Sequence, residues 1–326
     1  MKNFITAFFS LLFLAALTAA AASIWAYYEL SRPGPLAQDA LVHIAPGSSV
    51  AAIGRHLQKE NIIRYDWLFI AGARIKSADK SLRAGEYDIP AQASVFSVID
   101  TLVSGKMHQY TLTIPEGLNS YQIVALLNAH DALTGDIAEI PADGTLFPET
   151  YAFTRGTTRA ALLARMRGKM DRVLQNAWDS RAEDLPFTTM EEALILASII
   201  EKETGIGAER EKVAGVFVNR LRRGMKLQTD PTVIYALTDG GKNPMTRQLL
   251  RRDWELEHPY NTYYIEGLPP GPICHPGRAS IEAAVNPARH DYLYFVADGT
   301  GGHAFARTLA EHNRNVAAWQ RLRREQ

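Results

Sequence analysis

The sequence predicts an α+β protein led by a transmembrane helix, and three observations carry that prediction. An uncharged apolar run from Asn3 to Tyr28 exceeds the roughly 20 residues that a bilayer-spanning helix needs. Small alternating strand and helix units fill the stretch from Leu41 to Ile114. Beyond Leu146, helix-period segments such as Leu194–Thr204 and Glu209–Leu221 mix with turns rich in Gly and Pro.

The apolar run is longer than a secretory signal core of roughly 7 to 15 residues, although Ala19 to Ser23 offers small residues of the cleavage type. Trp25, Tyr27 and Tyr28 make an interfacial aromatic cluster, so an uncleaved anchor is expected. Lys2 and the amino terminus hold the only positive charge before the span. That puts the short end in the cytoplasm and the rest outside. The single cysteine, Cys274, excludes an intramolecular disulfide framework. Lys plus Arg equals Asp plus Glu at 35 each, and the one basic block is Arg321 to Arg324. This balance argues against a nucleic-acid partner.

After a Ser/Arg/Pro/Gly stretch read as a linker, Leu41–Ile44 is expected as a strand and Pro46-Gly47 as a turn. Ser48 or Ser49 then caps a helix over Val50–Leu57. A helix over Tyr65–Ile75, a strand over Gly85–Ile89, a helix capped by Ser94 and a strand over Tyr110–Ile114 complete this part. With no clustered metal ligands, such a β-α-α-β unit reads as a holding module rather than a catalytic one.

Leu194 to Thr204 (LILASIIEKET) reads as a helix with an apolar stripe. At about 100° per residue, Glu203 falls within roughly 60° of Leu196, Ile199 and Ile200, while Glu201 points the opposite way with Leu194 and Ala197. A carboxyl among aliphatic side chains loses hydration, its pKa rises, and it can hold a proton for donation near neutral pH. From this stretch alone the alternative stays open that Glu201, Lys202 and Glu203 form a solvated helix end.

Further polar and aromatic groups concentrate between Leu146 and His303. They include Phe147-Pro-Glu-Thr-Tyr151, Leu227-Gln-Thr-Asp-Pro-Thr-Val-Ile-Tyr235 and Tyr260-Asn-Thr-Tyr-Tyr264, with Asp230-Pro231 expected to open a helix. Aromatic rings, amides and hydroxyls on rigid loops suit a sugar cleft. Each piece alone also has a plain structural explanation. His303 follows Gly301-Gly302 on an expected turn, and no histidine spacing fits a zinc motif, so no metal or cofactor is expected.

The segments Ala197–Thr204, Glu209–Leu221, Leu227–Tyr235, Tyr260–Tyr263, Gly267–Pro272 and Tyr292–Gly299 with Gly302-His303, in this order, resemble the YceG-like family of endolytic murein transglycosylases. The resemblance implies a division into an anchor (1–30), a linker (31–40), a LysM-like βααβ subdomain (41–115) and a mixed α/β catalytic domain (116–326). It implies an inner-membrane protein with its carboxyl-terminal part in the periplasm, acting on peptidoglycan glycan strands beside peptidoglycan synthases. By position its catalytic acid falls on Glu203. The expected glycan-binding or orienting residues are Gln228, Thr229, Asp230, Tyr235, Tyr260, Asn261, Tyr263, Glu149, Ser198 and His303. A glycan-binding scaffold without catalysis and a hydrolytic muramidase are the rival readings.

Overall fold

The computed structural model describes residues 2–325, and the chain divides into two compact units. The first comprises residues 1–110 with 152–155, the second 111–151 with 156–326. Helices and short two-stranded sheets alternate in both, a mixed α+β architecture.

The first unit begins with α1 (Lys2–Ser31), whose stretch Ile5–Ser31 has a mean hydropathy of 2.1 and is long and apolar enough to cross a membrane. Its last turn behaves differently. Leu30 is fully buried and Glu29 pairs with Arg32 at 2.7 Å. The stretch 31–40, expected as a linker, is also held down. Gly34 N–H donates to Gln92 O, Gln92 N–H donates to Leu36 O, and Leu36 joins the core.

Next come β1 (Ala40–Ile44), α2 (Val50–Lys59), α3 (Asp66–Ile75), β2 (Gly85–Ile89) and α4 (Val95–Ser104). β1 and β2 pair antiparallel with Val42 opposite Tyr87. Ser49 caps α2 by accepting from Ala52 N–H, and Ser94 caps α4 by accepting from Ser97 N–H, so two helix starts are fixed by hydroxyls. Gly105 at φ 69° ends α4 in the left-handed conformation that lacks a side-chain penalty. Leu57, Phe69, Tyr87, Ile99 and Leu102 fill the core.

The chain leaves this unit along β3 (Tyr110–Thr113), which pairs with β4 (Thr150–Phe153). The second unit holds α5 (Ser120–Asn128), α6 (Arg159–Asp179), α7 (Met190–Glu203), α8 (Arg210–Arg222) and α9 (Asp230–Leu237). It closes with α10 (Arg278–Val285), the antiparallel pair β5 (Tyr294–Ala297) and β6 (His303–Ala306), and α11 (Leu309–Glu325).

α7 is the central helix of this unit. A reciprocal capping box of Thr189 and Glu192 starts it, and α6, α8, α9 and α10 pack around it. Every residue from Ala193 to Ile200 is buried, so the expected single apolar stripe is corrected to burial on all sides. Leu194 and Ala197, placed by the sequence on the side away from the stripe, are buried as well, because helices cover both faces. The difference between Glu201 and Glu203 therefore comes from their partners rather than from a wet and a dry side.

Candidate active site

Glu203 is the last residue of α7, and the chain turns away at Thr204, which is extended. Its carboxyl meets the loop before α9. There Gln228 takes a left-handed φ of 50°, so the buried neighbours Leu227 and Thr229 flank an exposed Gln228. Thr229 Oγ1 donates to Glu203 Oε1. Thr229 is itself fixed by its N–H, which donates to Thr262 Oγ1 at 3.0 Å, and Thr262 lies 2.9 Å from Thr232 Oγ1. A chain of buried threonines thus aims one hydroxyl at the acid. Among the described residues no group hydrogen-bonds Glu203 Oε2.

Asp230 opens α9, with Pro231 in the first turn where a missing N–H costs nothing. Its Oδ1 accepts from Tyr263 Oη at 2.8 Å and from Trp254 Nε1 at 3.1 Å, and the two rings stack with centroids 5.4 Å apart. Arg220 near the end of α8 is buried. It donates to the carbonyls of Leu293 (2.6 Å), Lys226 (3.1 Å) and Leu227 (2.9 Å) and to Gln228 Oε1 (3.3 Å), with its guanidinium 5.0 Å from the centre of the Tyr294 ring. Lys226 Nζ donates to the carbonyls of Tyr263 and Tyr264, holding the aromatic loop to the Gln228 loop.

These groups line a cleft of about 420 Å³ whose walls include Glu203, Arg220, Gln228, Asp230, Tyr263 and Tyr294. Loss of hydration in this setting raises the Glu203 pKa to about 6, with the Thr229 hydrogen bond opposing the rise and the negative charge of Asp230 adding to it. The Tyr263 hydroxyl is pushed up by burial and by donating to Asp230, so it stays a donor. An acid that keeps its proton near pH 6, in a cleft with rings and fixed donors, can protonate a leaving oxygen.

Glu201, two residues earlier, has another task. Its Oε2 accepts from Gly277 N–H at 3.0 Å, at the amino end of α10, and Oε1 lies 4.0 Å from Arg210. The carboxylate ties helices together.

Of the expected site residues, Gln228, Thr229, Asp230 and Tyr263 gather around Glu203. His303 opens β6 rather than sitting on a turn. Its Nδ1 lies 2.7 Å from Glu209 Oε2, and its charge lowers the Glu203 pKa slightly. Asn261 is fully buried and braces the loop from behind, donating to the carbonyls of Trp254 and Leu256 and accepting from Tyr263 N–H. Ser198 does not reach the cleft. It is fully buried, donates to Ile195 O and accepts from Ile273 N–H, which pins the 273–274 segment to α7. Glu149 lies outside the cleft wall, 3.4 Å from Lys169, where the backbone enters β4.

Tyr235 and Tyr260 line a separate cleft of about 370 Å³. Their rings lie 4.7 Å apart, and Tyr235 Oη donates to Asp143 Oδ2 at 2.7 Å. Behind them Ser120 Oγ is 2.9 Å from His275 Nε2, which is 3.6 Å from Asp143 Oδ1. This constellation has the residue types of a hydrolase triad but not its protonation. Leu146 N–H donates to His275 Nδ1, so Nε2 carries the hydrogen and donates to Ser120. Burial lowers the His275 pKa to about 4 and leaves the imidazole neutral.

Sequence reasoning missed Arg220 and Tyr294 as cleft walls, and Trp254 as the ring that with Tyr263 holds Asp230. Arg220 lay in the helix-period segment Glu209–Leu221, whose pattern alone gave it no place in a cleft. Nothing local marks Trp254. Among the described residues no group of three or more His, Cys, Asp or Glu side chains is placed to hold a metal ion.

Fold and site together define an α+β protein with a membrane-length helix at its amino end and a carboxyl of raised pKa in a polar, aromatic cleft. The chain belongs to the YceG-like family, whose profile matches residues 42–318. It is 33% identical over 304 residues to the endolytic murein transglycosylase of Bacillus subtilis, an alignment covering 84% of this chain and 82% of that one. It is 31% identical over 320 residues to the enzyme of the same name from Streptococcus pneumoniae D39, covering 85% of this chain and 57% of the pneumococcal protein's own length. The crystal structure of a yceG-like protein from Listeria monocytogenes superposes with a TM-score of 0.52 at 30% identity, covering 85% of this chain and 99% of that one.

Proposed function

We propose that this protein is an endolytic lytic transglycosylase that cuts the β-1,4 bond between N-acetylmuramic acid and N-acetylglucosamine within nascent peptidoglycan strands. The observation that carries the reading is Glu203 in the cleft wall, with its pKa raised to about 6, Oε1 held by Thr229 and no partner for Oε2 among the described residues. Family membership and the murein transglycosylase relatives support the substrate class.

In the proposed reaction, protonated Glu203 gives its proton to the glycosidic oxygen as the bond to muramoyl C1 breaks toward an oxocarbenium-like state. The carboxylate left behind takes the proton of the muramoyl C6 hydroxyl, whose oxygen closes on C1 as the 1,6-anhydro end. The proton account balances, and the acid is regenerated. Because the attacking oxygen belongs to the substrate, a second catalytic carboxylate is not required. Gln228, Asp230 and Tyr263 are assigned to binding the glycan, and Thr229 to orienting Glu203. Asp230 in the same cleft favours one rival, a muramidase in which a second carboxylate activates water.

The α1 helix is assigned as a single-pass anchor in the inner membrane, with the remainder in the periplasm beside the peptidoglycan polymerases. The βααβ unit is assigned to holding glycan, in the manner of a LysM-like module. Incubation of the full chain with uncrosslinked glycan strands, followed by mass spectrometry, tests the reaction. Shortened strands with ends lighter by one water support the transglycosylase, hydrated ends support the muramidase, and binding without new ends supports a scaffold.

A further inference from the structure

The first unit exposes an aromatic ladder that continues the anchor. Trp25 of α1 stacks on Trp67 of α3 with centroids 6.0 Å apart, and Trp67 stacks on Tyr65 at 6.2 Å. All three stay exposed, at 48%, 47% and 44%. Soluble surfaces seldom leave such a stack to water, since indole and phenol rings lose much unfavourable hydration when covered.

The packing of α1 sets the level of this ladder. Trp25 meets Trp67 and, five residues further along both helices, Leu30 meets Gly72, where a Cβ would stand 2.9 Å from Leu30 Cδ2. The two helices therefore run side by side in the same direction. From Ile5 to Trp25 a helix rises about 30 Å, the thickness of the hydrocarbon layer, which puts Trp25 at its outer edge. Tyr65 and Trp67 then lie at that same edge. Ile75, 65% exposed at the other end of α3, lies about 12 Å farther out. Arg64, beside the ladder, turns its guanidinium back to Pro33 O, past the end of α1 and away from the apolar layer.

We propose that Tyr65 and Trp67 are seated in the headgroup layer of the bilayer beside Trp25, so that lipid covers this face and the first unit rests on the membrane. Interfacial preference of Trp and Tyr supplies the attraction, and the buried turn at Leu30 fixes the geometry. The inference rests on α1 spanning the membrane and is independent of the cleavage chemistry.

The test uses the full chain in vesicles of phosphatidylethanolamine and phosphatidylglycerol, with an environment-sensitive fluorophore on one introduced thiol at a time. The variants are Leu17→Cys, Tyr65→Cys, Trp67→Cys and Ile75→Cys. Cys274 is 1% exposed, and burial pushes its thiol pKa up, so it does not compete for label. The expected result is blue-shifted emission at positions 17, 65 and 67, with most of it lost to quencher-bearing lipids, and neither effect at 75. Quenching at 17 but not at 65 and 67 overturns the proposal while leaving the anchor. Quenching at all four positions overturns the deduced level, and no quenching at 17 overturns anchor and proposal together. Having Tyr65 and Trp67 as separate reporters guards against one variant misfolding.

Discussion

Two clusters of titratable side chains sit in the second unit, and their contrast separates a reactive site from a structural one. Around Asp143 the polar valences are used up. Oδ1 accepts from Ser120 N–H, Oδ2 accepts from Tyr235, and both nitrogens of His275 are engaged. Around Glu203, which lines the cleft, one carboxyl oxygen is held and the other has no partner among the described residues. Burial raises the pKa of both acids, so a raised pKa alone does not identify the chemistry. The difference lies in which acid has an oxygen left to offer.

The contrast breaks most visibly at Glu203→Gln. Strand cleavage should fall by about 10²–10⁴-fold with the fold intact, as measured by product release and circular dichroism. Cleavage surviving in Glu203→Gln but not in Glu201→Gln would move the acid to the other glutamate. The opposite signature is expected for His275→Ala. It leaves Leu146 N–H without a buried partner and takes one of two partners from Ser120 Oγ, and should destabilise by about 2–4 kcal/mol in urea titration, while kcat per folded molecule stays near wild type. A collapse of kcat at full folding would make the Asp143 cluster part of the chemistry.

A smaller effect links acid and fold. The Glu203 pKa is raised from 4.5 to about 6, so its favourable contribution is complete below pH 4.5 and is lost as pH rises through about 6. Glu203→Gln should therefore be more stable than wild type by about 1–2 kcal/mol at pH 8, with no gain at pH 4, measured by denaturant titration at both pH values. The smallest effects are a pair of opposite sign. Thr229→Val removes the bond that favours the anion, so the alkaline limb of the pH–rate profile should move up. Asp230→Asn removes a neighbouring negative charge and should move it down. Movement of both in one direction would dismiss the local account of the Glu203 pKa.

Much of the fold was legible because its signals are local. Ser49 and Ser94 cap the helices they precede, Pro231 stands in the first turn of α9, and the β-α-α-β order of the first unit follows from short alternating runs. The surroundings of α7 were not legible. A wheel places residues around one axis, but whether a second layer of helices covers the far side is decided by how α6, α8 and the remote α10 pack, which the periodicity of one segment does not carry. The same limit divides the site. Gln228, Thr229 and Asp230 adjoin in the chain and reach the acid together, whereas Tyr235 lies about one and a half turns along α9 and faces the other cleft. Asn261 and Ser198 carry hydrogen-bonding groups suited to a glycan, yet backbone atoms consume them, which residue type cannot reveal.

The termination of α7 at Glu203 has an electrostatic consequence. Peptide dipoles along the fourteen residues of α7 add up to a partial negative charge at its carboxyl end, where the acid is placed. The backbone itself thus resists ionisation of this side chain, and would do so even if every neighbouring charge were neutralised. Glu192, in the first turn at the opposite pole, shows the reverse, its carboxyl held below the usual range by the backbone N–H of Thr188 and by Thr189.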